Sequence, residues 1–366
     1  MPNTPLRDAT NLSQFNQQSA GRKSEAAMPD YLITVRAISN GIFSDRPGVT
    51  TFLKLQDGDS APFNPAQGMR ADDWVRQVIG GVIKTKDATG VLRGDVLVYI
   101  HGFNNSMTEV LKRHRILKRD LPAHAFNGTV ISFDWPCYNT ALAYVPDREE
   151  AKLTAFSLVR DCIWRVARMQ SQLDCDINVH LLAHSTGAYV IQEAFDDADD
   201  RRAINSINWT VSQIALISGD ISSISMSIGD ADTESIYGHC VRLTNYSNGN
   251  DEVLQISNIK RVGIEPRVGR VGLPATAPAS AVNVDCSLYY QAVIKPHAVG
   301  PGGITTSHSW QFGDPVFTED LAQTLNGNVD RGVITTREMI AVNRFALASP
   351  NIAAGLGTLE DEPVEA

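Results

Sequence analysis

Apolar residues recur along this chain in two alternating rhythms: short β-branched runs, and longer stretches with apolar positions three or four apart. Residues 95–100 (DVLVYI), 129–133 (TVISF), 177–183 (INVHLLA), 213–218 (QIALIS) and 239–245 (HCVRLTN) read as strands. The first is almost continuously apolar, as a strand buried on both faces of a parallel sheet must be. Helical patterns lie among them. Residues 71–82 carry Trp74, Val78, Ile79 and Val82 on one face, and a helix follows Ser106, which has the Ser-x-x-Glu spacing of a capping box with Glu109. A long helix ends near Leu173, with Leu153, Phe156, Val159, Ile163 and Val166 in one stripe, and residues 187–198 repeat the pattern with Val190, Ile191, Ala194 and Phe195. Strands and helices that take turns imply parallel pairing through right-handed crossovers. The pattern predicts an α/β fold with a mostly parallel central sheet and helices on both faces.

The flanks modify this plan. Residues 31–38 (YLITVRAI) and 51–55 (TFLKL) enclose a turn-rich segment, 39–48, and predict an antiparallel N-terminal edge. Residues 281–286 (AVNVDC) are expected to be the last core strand, and residues 319–325 to begin a closing helix. Residues 262–280 are dense in Gly, Pro and Ala and predict an exposed loop or flap. Together with the irregular, partly apolar 137–147, they are candidate lid or pocket-wall segments. Residues 1–29, rich in Asn, Gln, Ser and Pro, predict a disordered leader, and 349–366 a disordered acidic tail. A single domain is then expected over 30–348.

Composition narrows the function classes. A formal charge of -9 and a pI near 5.4 argue against nucleic-acid binding, which needs a basic footprint to displace counterions. The basic run from Lys112 to Arg119 reads as a solvated helix face. Five cysteines, scattered and without a Cys-x-x-Cys pair, signal neither a disulfide framework nor a zinc site. With no secretory-type apolar segment at the start and no apolar run long enough to span a bilayer, the expectation is a cytoplasmic protein without a transmembrane segment.

One stretch carries chemistry. Residues 181–190 (LLAHSTGAYV) end an apolar strand with a serine between small residues and then turn helical. Such a junction strains the central residue, lifts its side chain clear of the sheet and leaves the next N–H groups at a helix N-terminus. The pattern Gly-x-Ser-x-Gly stands here as Ala183-His184-Ser185-Thr186-Gly187, a mild departure because a methyl group can still pack at the first position. Ser185 thus reads as the residue of a nucleophile elbow, against the plainer reading of a Ser-Thr-Gly turn that starts a helix.

In the order VYIHGFNNS (98–106), SFDWP (132–136), YVPDREEAKLTAF (144–156), LLAHSTG (181–187), ISGDIS (217–222), NGNDEVLQIS (248–257) and SHSWQFGDPVFTEDL (307–321), the chain resembles a bacterial esterase/lipase-like branch of the α/β-hydrolase superfamily, whose members are mostly of unassigned function. The resemblance implies the α/β-hydrolase fold and a triad in the order nucleophile, acid, histidine. On it, Ser185 is the nucleophile. His308, in the Ser-His-Ser-Trp motif, is preferred as base to His297, which lies in a Pro/Gly-rich loop. Asp251 is preferred as acid to Asp220, which ends the strand after the elbow. The resemblance also implies an oxyanion hole from the N–H groups of Phe103 and Thr186, with Gly102, Asn104, Tyr138 and Tyr144 at the substrate. Asp134 reads as a structural hydrogen-bond partner.

The activity so implied is cleavage of a carboxylic ester through an acyl-enzyme, with a small-molecule ester or acyl compound as substrate and neither metal nor organic cofactor. A lipase, thioesterase or amidase would use the same machinery. From a different class, a catalytically silent α/β-hydrolase fold could serve as a binding module.

Overall fold

The computed structural model describes residues 28–56, 58–137, 144–170, 173, 175–259, 265–297 and 303–348. Twelve strands among these form one sheet: β1 (Asp30–Ser39), β2 (Ile42–Leu55), β3 (Gly68–Met69), β4 (Thr85–Lys86), β5 (Leu92–Ile100), β6 (Thr129–Asp134), β7 (Asp176–His184), β8 (Val211–Ile217), β9 (Cys240–Ser247), β10 (Ala281–Asp285), β11 (Arg337–Ala341) and β12 (Arg344–Leu347). Their order is β11-β12-β10-β9-β8-β7-β5-β6-β1-β2-β3, with β4 beside β5. From β1 through β12 along this order every pairing is parallel. The antiparallel partners are β2 on β1, β3 on β2, β4 on β5 and β11 on β12.

The near-continuous apolar strands are buried from both sides, with side chains alternating between two layers. In β5, Val96, Val98 and Ile100 join one cluster and Leu97 and Tyr99 the other. The first layer includes helices α1 (Ala71–Gly81) and α5 (Gly187–Asp199), together with the helical run made of α3 (Tyr144–Ser157), a π turn (Leu158–Ile163) and α4 (Trp164–Gln170). The second takes Leu117 from α2 (Met107–Asp120) and Phe317, Leu321 and Leu325 from the helix Pro315–Asn326. Register then aligns the ends of the central strands: Ile100 opposite Ala183, His184 opposite Ile217, and Ile217 opposite Tyr246. The loops that leave them emerge side by side.

Five expectations change. Residues 281–285 are not the last core strand, because β12 adds in parallel beyond them and β11 closes that edge as well. The first hairpin is tighter than its turn-rich sequence suggests, with β2 beginning at Ile42 and register shifts absorbing the irregularity. Leu153 lies off the buried stripe and is 75 % exposed. Ala151 and Ala155 lead the stripe to Leu158, where the π turn begins, and its wider turn shifts the phase to Val159, Cys162, Ile163 and Val166. The basic run is not simply solvated: His114 is buried, while Arg115 and Lys118 both reach the buried Asp30. Finally, residues 265–273 are no loose flap. Val268 is fully buried, and Gly269 lies so close to the loop after β8 that a Cβ there would stand 2.2 Å from the Gly219 nitrogen. The leader up to residue 27, the tail from 349, and 138–143 and 262–264 of the candidate lids lie outside the described residues.

Candidate active site

Ser185 follows β7 with φ of +56°, in the left-handed region that a serine occupies only under constraint. Its N–H donates to the Ile217 carbonyl at 3.0 Å, and its own carbonyl accepts from the N–H groups of Asp220 (3.0 Å) and Ala188 (3.1 Å). The bend is therefore held by β8, by the loop beyond it and by α5. Close approach explains the glycines. A Cβ on Gly187 would meet the carbonyl oxygens of Ile100 at 2.6 Å and His101 at 2.9 Å; one on Gly102 would meet Ser185 Cβ at 2.6 Å. Ala183 makes no such approach and packs its methyl in the core, which is why the usual first glycine is dispensable.

His308 lies in the last turn of the helix Gly303–Ser309, and its Nδ1 is 2.7 Å from Asp251 Oδ2. Asp251 is fully buried, and its other oxygen accepts from the Leu254 N–H at 2.9 Å at the start of the helix Glu252–Ile259. Two bonds cross-tie the loops that carry this pair. Asn248 Nδ2 donates to the Ser307 carbonyl at 3.0 Å, and the Glu252 N–H donates to Ser307 Oγ at 3.2 Å. The rival acid, Asp220, faces Arg267 Nε at 3.3 Å. The rival base, His297, is exposed in a 3-10 turn.

His184, beside the nucleophile candidate, is also part of the cluster. Its ring centre is 4.8 Å from that of His308, its Nε2 is 2.9 Å from the His308 carbonyl oxygen, and its Nδ1 is 3.2 Å from Arg113 Nη1. Burial pushes its pKa well below the ordinary histidine value, and the positive charge of Arg113 adds to the shift.

A family model described as alpha/beta hydrolase of unknown function (DUF900) matches residues 83–281, more than half of the chain. The chain belongs to this family. No curated protein matches it. Solved structures similar to it include ESTFA in its Fe-lacking apo form (10% identity over 74% of this chain and 95% of that one, TM-score 0.35). Others are esterase B from Lactobacillus rhamnosis (13%, 64% and 75%, TM-score 0.35) and a cutinase-like protein from Cryptococcus sp. (15%, 64% and 96%, TM-score 0.32).

In this α/β hydrolase the loop after β5 is held from within. The Gly102 carbonyl accepts from Asn105 Nδ2 and from His101 Nδ1, both at 2.8 Å. In a trans peptide this puts the Phe103 N–H on the opposite side from those donors. Phe103 is half-buried, and Asn104 is exposed with φ of +56°. Thr186 is the N-cap residue of α5, so the N–H groups that follow the elbow have no acceptor within the helix. Tyr138 lies outside the described residues; Tyr144 begins α3. Among the described residues no group of three or more His, Cys, Asp or Glu side chains could hold a metal ion, and no helix is long and apolar enough to cross a membrane. The sequence pattern did not single out Arg113, Asn105 or Asn248 for the site, and it passed over His184. Arg113 was masked by the basic run around it, whereas Asn248 lies inside a segment that carries the family likeness.

Proposed function

We propose that this α/β hydrolase cleaves a carboxylic ester through an acyl-enzyme, with Ser185 as nucleophile, His308 as base and Asp251 as the carboxylate that orients it. The observation that carries the reading is the 2.7 Å contact between His308 Nδ1 and Asp251 beside a left-handed serine at a strand-to-helix turn. A serine hydroxyl is a weak nucleophile, and an imidazole held by a carboxylate supplies what it lacks. Ser185 Oγ bonds to the ester carbonyl carbon as its proton passes to His308 Nε2. The N–H groups of Phe103 and Thr186 take the oxyanion, and the His101–Asn105 hold on the Gly102 carbonyl supports that role for Phe103. Collapse breaks the C–O bond, and the leaving alkoxide takes the proton from His308. Water, deprotonated by the same imidazole, then releases the acid and restores Ser185.

Gly102, Asn104, Tyr138 and Tyr144 are the proposed substrate contacts, and the substrate is a small ester or acyl compound. The cytoplasm is the proposed compartment, in keeping with five cysteines that stand as free thiols. Covalent labelling by a fluorophosphonate tests the mechanism: wild-type protein is labelled on Ser185, and a protein that stays unlabelled is not a serine hydrolase. A series of 4-nitrophenyl esters of rising acyl length, set beside a thioester and an anilide, then separates esterase from lipase, thioesterase and amidase.

A further inference from the structure

We propose that Arg113 and His184 are a positioning pair for the base: His184 holds the His308 main chain on its Nε2–H, and Arg113 fixes which nitrogen of His184 carries that proton. The inference rests on the reading of Ser185 and His308 given above and goes beyond it. A guanidinium only donates hydrogen bonds, so the His184 nitrogen that faces Arg113, Nδ1 at 3.2 Å, must be the unprotonated acceptor. Nε2 then bears the hydrogen and donates it to the His308 carbonyl at 2.9 Å, with Ser309 Oγ a longer neighbour at 3.4 Å. His184 stays neutral because burial, and then Arg113, disfavour its charged form, so the arrangement persists at neutral pH.

His308 is thereby anchored at both ends. Its ring is held at Nδ1 by Asp251 and its backbone at the carbonyl by His184. His184 is covalently joined to Ser185, so one hydrogen bond links the nucleophile's own strand to the segment that carries the base. Arg113 reaches that segment independently, through Ser309 Oγ at 3.3 Å and by lying over the Phe312 ring at 4.7 Å. Gly102 is the third element at this point, since a Cβ there would stand 3.1 Å from His184 Nδ1. The elbow, the loop after β5 with its helix α2, and the histidine segment meet at a single imidazole.

The test compares His184→Phe, which keeps the ring volume and loses both nitrogens, with His184→Gln, whose amide can donate and accept. The readouts are the second-order rate of fluorophosphonate labelling, kcat and KM for 4-nitrophenyl butyrate, and the melting temperature. Misplacement of a catalytic group by about 1 Å costs on the order of 10²-fold, so His184→Phe is expected to lower the labelling rate and kcat by ~10- to 100-fold with KM little changed. His184→Gln should recover most of that loss. Packing alone predicts the reverse order, Phe near wild type and Gln impaired, and that order overturns the proposal. If His184→Phe does not fold, Arg113→Met decides. A fall in kcat and labelling rate at unchanged KM supports the pair, and wild-type values overturn it. Wild-type protein that resists the fluorophosphonate overturns the serine-hydrolase reading itself, whereas labelled wild type with the wrong variant order overturns only the positioning pair.

Discussion

Two buried histidine–aspartate pairs lie at the same end of the sheet, and they are built for opposite purposes. In one, His101 Nε2 is 3.3 Å from Asp134, and the imidazole stacks on Trp135, accepts its N–H at 3.1 Å and turns its other nitrogen to the Gly102 carbonyl. Asp134 is claimed by Arg36 at 2.8 and 3.1 Å and by Thr34 at 2.6 Å. In the other, the Asp251 carboxylate is bonded, among the described residues, by the Leu254 N–H and by His308 Nδ1, with no arginine. A carboxylate already neutralised by a guanidinium can brace a loop but gives little to an imidazolium. One whose main partner is an imidazole can stabilise its positive charge. Proximity of His to Asp thus does not mark a base; what else holds each partner does.

The sharpest break between the pairs lies in catalysis. Ser185→Ala should abolish ester turnover and fluorophosphonate labelling, a loss on the order of 10⁶-fold in kcat by comparison with other serine hydrolases. Folding should survive, because Ser185 sits at a turn rather than in the apolar core; labelling of another serine in the variant would remove Ser185 from the mechanism. Asp251→Asn should cost about 10⁴-fold in kcat, since an amide cannot fix the imidazole tautomer or balance its charge. Asp220→Asn, on the carboxylate that faces Arg267, should cost far less. An inactive Asp220→Asn beside an active Asp251→Asn would move the acid to the loop after β8.

Much of this was legible in the residues because it is local. The β5, β7 and β8 cores follow from continuous apolar runs, and the elbow follows from a serine flanked by small residues. What escaped is set by packing over long distance. Residues 265–273 look like a flap because Gly and Pro discourage regular structure, yet Gly269 is needed where the segment presses on Gly219. Arg113 and Lys118 belong to one charged run, and only the tertiary fold sends the first to His184 and the second to Asp30. The strand β12 is short, and its apolar Phe345 and Leu347 become core residues only once β10 provides an edge. For the site, the His308–Asp251 pairing rests on a resemblance of motifs, whereas the two roles of His184's nitrogens needed the positions of their partners.

The structural pair should break stability where the catalytic pair breaks rate. Arg36→Met leaves Asp134 buried without its guanidinium, and loss of one partner of a buried ion pair costs ~3–5 kcal/mol. Urea unfolding measures this directly. A loss below ~1 kcal/mol would mean that Thr34 suffices for Asp134 and that Arg36 is no structural anchor.

The smallest effect is a pH dependence of stability that arises in the structural pair. Burial alone would raise the Asp134 carboxyl, but the charge and hydrogen bonds of Arg36 outweigh it and hold the group at about 2, below its reference value of 3.8. A carboxylate whose folded pKa is depressed stabilises the native state fully above its unfolded pKa. That contribution fades as pH falls through the unfolded and then the folded value, because below both the proton binds either state. The window therefore runs from about pH 4 down to about pH 2, and the shift corresponds to about 2 kcal/mol. Asp134→Asn removes this titration and leaves every other acid-sensitive group in place. The difference in unfolding free energy between wild type and Asp134→Asn should be constant near neutrality and shrink by about 2 kcal/mol between pH 5 and pH 2. A difference that stays flat across that range would mean that Asp134 has the same proton affinity folded and unfolded, and that the Arg36 contact at 2.8 Å brings the carboxylate no net electrostatic gain.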